Sequence, residues 1–141
     1  MRKAVLSVAF VLALIICACA FAETSTDTIK EWIDEGVGEG ETITDVSLDD
    51  RILAITVDLG EVEELYDGYI IDLATERASS ITDTLLDHDD FDAEWDNILL
   101  MFTDVGYFDL NKNDIETNEY DLRFMNVYND DYSSRITLTN F

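Results

Sequence analysis

Alternating apolar and polar positions predict a β-hairpin in the first half of the chain. Residues 52–59 place Leu, Ile, Val and Leu at every second position, with Ala, Thr and Asp between them. This period of two is typical of a strand with one buried face. We expect residues 42–48 to form the first arm, Asp49-Asp50-Arg51 to form the turn, and Gly60 to end the second arm.

Two other segments follow the helical period. Thr28 and Glu31 have the spacing of a capping box, which predicts a short helix that starts at Thr28 and ends at Gly36 and Gly38. Residues 62–86 predict a longer helix with one apolar stripe, which Gly68 could interrupt. The stripe consists of Ile70, Ala74, Ala78, Ile81 and Leu85.

The second half of the chain predicts further strands. Residues 98–102 are apolar on both sides, which is typical of a central strand covered on both faces or partly exposed on its reverse. Tyr107–Leu110 follows as the next strand, with a helical turn at 113–118 and two strands at 121–128 and 134–140. The order α-β-β-α-β-β, with one or two further C-terminal strands, predicts an α+β fold. Two helices would pack on a mainly antiparallel sheet.

The N-terminal 22 residues have the pattern of a secretory signal sequence. Two basic residues precede an apolar run over residues 4–19, which ends at Ala20-Phe21-Ala22. Small residues at the first and third of these last positions suit a signal peptidase. We therefore expect cleavage after Ala22 and a single domain over residues 23–141, secreted or held in the cell envelope.

Two alternatives to this processing stay open. Ile16-Cys17-Ala18-Cys19 resembles a bacterial lipobox, and lipidation of Cys19 would tether the domain to a membrane. A retained membrane helix is the second alternative, although the apolar run is short for a bilayer. Both cysteines of the chain lie in this segment. The domain that follows can therefore form no disulfide and must rely on its apolar core.

The chain after the signal segment is strongly acidic. All 32 acidic residues lie at Glu23 or later and two of the eight basic residues precede it, so residues 23–141 carry a formal charge of −26. This balance excludes nucleic acid as a partner and disfavours direct binding to anionic lipid, because both need clustered Lys and Arg. It favours a protein partner with a basic surface. Adaptation to high salt is a second explanation of the acidity.

Two acidic segments are candidate cation sites. Residues 87–96 hold five aspartates and one glutamate, but calcium needs six to eight converging oxygens. We therefore expect a solvated loop that attracts cations weakly. Asp109-Leu-Asn-Lys-Asn113 matches the opening of an EF-hand loop, whereas Asp114 and Tyr120 replace the Gly and Glu that such a loop requires. We expect no metal site and no cofactor.

Catalytic arrangements are also poorly supported. His88 is the only histidine, and one imidazole does not make a zinc site. Ser79 and Ser80 have no base nearby unless His88 folds back onto them. Pairs of carboxylates are always present among 32 acids, but the chain is small for a sugar cleft. Four aromatic residues are predicted to pack in the core rather than to form a recognition face. These are Trp32, Trp95, Tyr107 and Phe108.

A resemblance extends over about residues 69–108. Arg77-Ala-Ser-Ser-Ile-Thr-Asp83, Trp95-Asp-Asn-Ile98 and Asp104-Val-Gly106 resemble segments of small exported proteins of unknown function from Gram-positive bacteria. That resemblance implies an exported domain and brings no catalytic residues with it. Separately, the predicted α-β-β-α-β order is similar to the BON domain, an envelope module, but the glycine pattern of that domain is absent.

Together these patterns predict an exported, non-catalytic interaction domain. We expect it to bind an unknown protein partner through its sheet face or its acidic surface, or to inhibit a protein by filling a basic cleft. The alternative is an envelope module tethered through Cys19, with no other link to a membrane. A small hydrolase is the third hypothesis.

Overall fold

The computed structural model describes residues 23–139, and its first helix begins earlier than the sequence predicts. This helix, α1, spans Thr26–Asp34. Ser25 caps it, because the Ser25 Oγ accepts a hydrogen bond from the Thr28 N–H at 3.2 Å and so satisfies a free donor of the first turn. The predicted cap at Thr28 is therefore wrong, and Thr28 lies inside the helix.

The predicted hairpin is confirmed. Strand β1 spans Thr42–Asp49, strand β2 spans Ile52–Asp58, and the two pair antiparallel. Asp50 and Arg51 form the turn, with φ angles of 49° and 64°. Positive φ at both central residues is the geometry of a type I′ turn, whose twist matches that of the two strands.

The long helix is shorter than predicted. Helix α2 spans Tyr69–Leu86, so the predicted start at residue 62 is wrong. Gly68 adopts a left-handed φ of 86°, which glycine tolerates and which cannot continue a helix, so residues 61–68 are irregular. Ile70 is only partly buried. The other predicted stripe residues are buried: Ala74, Ala78, Ile81 and Leu85.

Two more strands lie where the apolar pattern predicts them. Strand β3 spans Asn97–Phe102 and strand β4 spans Gly106–Asn111. Asp104 turns the chain between them with a φ of 62°. Because α2 carries the chain back along the sheet, β3 pairs parallel with β2, whereas β4 pairs antiparallel with β3.

The predicted helical turn at 113–118 is wrong after its first residues. A 3₁₀ turn spans Lys112–Asp114, and strand β5 follows at Ile115–Thr117. The Asp114 side chain reaches back and accepts the Asn111 N–H at 2.9 Å, which caps the start of this turn. The turn ends at Ile115, whose backbone is extended.

The last strands are shorter than the predicted segments 121–128 and 134–140. Strand β6 spans Arg123–Met125 and strand β7 spans Thr137–Leu138. Between them, side chains of Asn and Asp accept backbone N–H groups two residues ahead, as at Tyr128 and Ser133. These local turns compete with strand pairing.

The predicted α+β class with a mainly antiparallel sheet is confirmed. Five strands pair in the order β1-β2-β3-β4-β7, and β5 and β6 form a small second sheet. Helix α1 contacts both β1 and α2, while α2 also contacts β6. Among residues 23–139, no helix is both long and apolar enough to cross a membrane.

Candidate functional site: an open sheet face

The helices cover only one face of the five-stranded sheet. On this inner face, Leu53, Ile55 and Val57 of β2 are fully buried, as are Ile98 and Leu100 of β3. They belong to the same apolar cluster as the buried side of α2. Because side chains alternate along a strand, the residues between them point to the opposite face.

That opposite face, which we call the outer face, has an apolar centre. Ala54 lies directly opposite Leu99, and Met101 lies directly opposite Tyr107, so four side chains from three strands form one patch. All four are partly exposed, and none packs against the apolar cluster under the helices. Ile52, at one end of the patch, is 46% exposed.

Carboxylates surround this apolar centre. Asp45 lies opposite Thr56 at the edge of the sheet, and Asp109 lies opposite Leu99 on the other side. Asp49 and Asp58 point outward at the two ends of the hairpin, and all four aspartates are exposed. We call these four residues the acidic rim. The outward positions of β1–β4 carry no Lys or Arg.

An apolar patch with a charged rim is a common feature of protein interfaces. Protein interfaces commonly combine a desolvated apolar core with a polar margin, and exposed patches of this kind mark interaction sites. Small-molecule sites are instead concave and enclose most of their ligand. The outer face combines an apolar centre with a charged margin in this way.

The acidic segment 87–96 is partly regular, and most of its carboxylates remain exposed, as predicted. Residues Asp89–Glu94 form a 3₁₀ turn, and Arg123 holds it against the end of α2. The Arg123 guanidinium donates to the Leu86 carbonyl at 2.7 Å, to Asp89 at 2.6 Å, and to the Asp92 carboxylate. The predicted loop is thus corrected to a turn whose carboxylates are partly neutralised by an arginine about 30 residues away in sequence.

A second arginine holds the other end of this segment. Arg51, in the hairpin turn, forms a bidentate salt bridge with Asp96, in which Nε and Nη2 donate to the two carboxylate oxygens at 2.7 and 2.9 Å. It also donates to the Ala93 carbonyl at 2.8 Å. This pair lowers the pKa of Asp96, chiefly through the hydrogen bond and then through the charge of Arg51, with Lys112 adding a smaller contribution. Three of the six basic residues after Glu23 thus pair with this acidic segment, with Lys112 at 3.7 Å from Asp96 as the third.

Removing Arg123 should destabilise the protein more than removing Arg51. We expect Arg123→Met to lower the free energy of unfolding by about 1–3 kcal/mol, because it leaves a half-buried carboxylate and a helix carbonyl without a donor. Arg51→Met is the matched control: its pair with Asp96 is about half exposed, so we expect a smaller loss than for Arg123→Met. Urea denaturation measures both. Equal small losses would contradict the proposed role of Arg123.

Unpaired acidic side chains oppose folding elsewhere on the surface. Desolvation raises the pKa of Asp83, and the charge of Asp87 one helical turn later raises it further. Because the pKa of Asp83 in the folded protein lies above its ordinary value of 3.8, its charged form disfavours the folded state near neutral pH. The smaller part of this effect, which comes from Asp87, is one local instance of the repulsion that a charge of −26 implies.

Salt should raise the melting temperature without selecting calcium. Screening weakens repulsion among carboxylates and depends on ionic strength, so sodium, magnesium and calcium at matched ionic strength should raise the melting temperature to about the same extent. Within residues 23–139, no group of three or more His, Cys, Asp or Glu side chains is arranged to hold a metal ion. Thermal melts test this. Saturable stabilisation by micromolar calcium, lost in Asp89→Asn/Asp90→Asn, would contradict it.

His88 is not hydrogen-bonded to either of the candidate serines, Ser79 and Ser80, within the described residues. His88 stacks on Trp32, with ring centroids 3.8 Å apart and planes 13° apart. Ser79 and Ser80 lie on α2, and no hydrogen bond in the described part of the chain joins either to His88. The stacking accounts for the position of His88 without a catalytic role.

The aromatic residues and the calcium-like motif also have structural roles. Trp95 and Phe108 are fully buried and Trp32 packs against the apolar cluster, whereas Tyr107 lies partly exposed on the outer face, so its predicted place in the core is wrong. In the calcium-like motif Asn111 caps a 3₁₀ turn, and Asp114 pairs with Arg135 at 2.8 Å. These side chains are therefore engaged within the fold.

The processing residues Cys19 and Ala22 lie outside the described residues.

No family model, no curated protein and no solved structure matches the chain. The resemblance to exported Gram-positive proteins stays a prediction. The sequence predicted binding through a sheet face but not which residues form it, and the signal for the outer face was the pair of apolar residues at outward positions of β3.

Proposed function

We propose that this chain is an exported, non-catalytic domain that binds a basic protein through its outer face. The observation that carries the proposal is the apolar centre of Ala54, Leu99, Met101 and Tyr107 inside the acidic rim. Burying this patch against a partner would remove apolar surface from water, which is the main driving force of protein association. Docking on the face is the proposed mode, and blocking a basic cleft would use the same surface.

The charge distribution supports a basic partner. The four aspartates of the rim would face the margin of the partner's contact surface, where complementary charge speeds encounter and rejects wrong partners. A partner with an acidic margin would be repelled by the rim and by the charge of −26 on residues 23–141. The same charge would oppose a second copy of this chain.

Export is part of the proposal and has its own prediction. N-terminal sequencing of the exported protein should begin at Glu23, because the small residues before it suit signal peptidase. Lipidation at Cys19, the alternative, would retain residues 20–22 and add the mass of acyl chains, which intact-mass measurement detects. A mature protein that retains residues 1–21 would contradict export.

Site-directed photo-crosslinking tests the outer face. A benzophenone amino acid at Met101 should crosslink one protein in extracytoplasmic material, and mass spectrometry should identify it as basic. The matched control is the same label at Leu65, a residue 68% exposed in the irregular segment before α2. The identified protein is then purified and titrated onto the domain. Identical products from both positions, or no binding by the purified protein, would contradict the proposal.

A further inference from the structure

Strand β1 is an open edge of the sheet. It has β2 as its one neighbour, and its backbone hydrogen bonds in the described part of the chain run to that strand. In an antiparallel pair, alternate N–H and C=O groups of an edge strand point away from the neighbour. These outward groups are available to a further strand.

The side chains of this edge differ on its two sides. Asp45, Ser47 and Asp49 point to the outer face and are exposed. Val46 and Leu48 point to the inner face, where they are only partly buried against the apolar cluster. The edge therefore has carboxylates on one side and partly exposed apolar side chains on the other.

Two features restrict what can be added to this edge. The register shifts between Ile43 and Asp45, and the resulting bulge limits regular pairing to residues 45–49. A second copy of β1 added antiparallel would bring Asp45 and Asp49 against aspartates of the same kind, which is unfavourable. The edge thus discriminates against self-association while it remains open to a strand of opposite charge.

We propose that β1 accepts an extended segment of the basic partner as an added strand of the sheet. Lys or Arg at alternate positions of this segment would face Asp45 and Asp49, and the apolar residues between them would cover Val46 and Leu48. The main chain would supply hydrogen bonds, and the alternation would supply specificity. This inference rests on the proposed function, because the added strand would extend the outer face on which the partner docks.

Synthetic peptides test strand addition directly. The probe is a capped peptide of about seven residues in which Lys and Val alternate. One control has the same composition with all Lys before all Val, and another carries N-methyl groups at alternate residues, which removes hydrogen-bond donors along one edge. Calorimetry measures affinity, and amide hydrogen exchange measures protection of residues 45–49. We expect the alternating peptide to bind about tenfold more tightly than both controls and to protect these amides.

Matched variants of the protein complete the test. Asp45→Lys/Asp49→Lys should lower the affinity of the protein for the alternating peptide by about tenfold or more. Glu63→Lys/Glu64→Lys changes the net charge equally at exposed positions away from the edge and should leave the affinity nearly unchanged. Equal binding of the N-methylated peptide, no protection of residues 45–49, or equal weakening by both double variants would overturn strand addition.

The purified partner separates this inference from the proposed function. Loss of partner binding in Leu99→Glu, with no exchange protection of the amides of residues 45–49 in the complex of the original protein, would overturn strand addition and leave docking on the outer face standing. Unchanged binding in both Leu99→Glu and Asp45→Lys/Asp49→Lys would overturn both. Weakened binding in Leu99→Glu together with protection of the amides of residues 45–49 supports strand addition together with docking.

Discussion

Replacing Ile81 by Ala should lower the free energy of unfolding by about 2–5 kcal/mol. The Ile81 side chain is fully buried in the middle of α2, where it joins both helices and the sheet in one apolar cluster. Its backbone also lies close to Gly36, just after the end of α1, since a Cβ added at Gly36 would lie 2.8 Å from the Ile81 Cα. Close approach on this scale leaves little room for neighbours to fill the cavity.

The sheet offers a matched comparison for this effect. Ile55 and Ile52 are the same residue type on the same strand, but Ile55 is fully buried and Ile52 is 46% exposed. Ile55→Ala should therefore cost about as much as Ile81→Ala, and Ile52→Ala less than about 1 kcal/mol. Urea denaturation, fitted with one m-value for all variants, measures the three losses of unfolding free energy. A loss below about half a kcal/mol at Ile81 or Ile55 would show that the inner face is wrongly assigned.

Replacing Leu99 by Glu should weaken binding of the basic partner by about thirtyfold or more. Leu99 lies at the middle of the apolar centre, with Ala54 on one side and Asp109 on the other. A carboxylate there would have to be desolvated on binding, next to an existing aspartate, and central interface positions commonly contribute about 2 kcal/mol or more. Fluorescence titration of the purified partner measures the change.

The control for this variant is Leu65→Glu. It makes the same chemical change on an exposed leucine that lies outside the outer face, so the affinity should stay within about twofold of the original, as for a residue outside an interface. Thermal melts of both variants show whether the domain stays folded, which we expect because Leu99 is partly exposed in the free protein. Equal weakening by the two variants would assign the effect to total charge.

The regular elements could be predicted because each repeats a pattern for several residues. Residues 52–59 alternate cleanly, and the stripe through Ala74, Ala78 and Ile81 follows the helical period, so β2 and the body of α2 are where the sequence predicts them. The ends of the helices were harder to predict. Ser25 and Gly68 set the true starts of the helices through a single hydrogen bond and a single backbone conformation, neither of which is periodic.

The C-terminal part of the fold was predicted less well for a related reason. Strands β6 and β7 are three and two residues long, which is too short for alternation to be recognised. Their positions depend instead on contacts far along the chain, such as the hydrogen bond that Thr139 N–H donates to the Val105 carbonyl.

The candidate site was visible in the sequence only in part. Apolar residues on both sides of 98–102 predicted a strand with either a covered or a partly exposed reverse face, and the fold resolves this in favour of partial exposure at Leu99 and Met101. The acidic segment 87–96 was the more conspicuous signal but is engaged by Arg51 and Arg123. Those pairs join residues 31 to 45 positions apart, so no short sequence motif predicts them.

Methyl NMR during titration with the purified partner tests the central claim most directly. We expect the methyl signals of Leu99 and Met101, on the outer face, to shift or broaden as the partner is added. The methyl signals of Leu65 and Leu122, which are 68% and 62% exposed elsewhere on the surface, should stay where they are. Shifts at Leu65 or Leu122 with unchanged signals from Leu99 and Met101 would place the interface elsewhere and contradict the account.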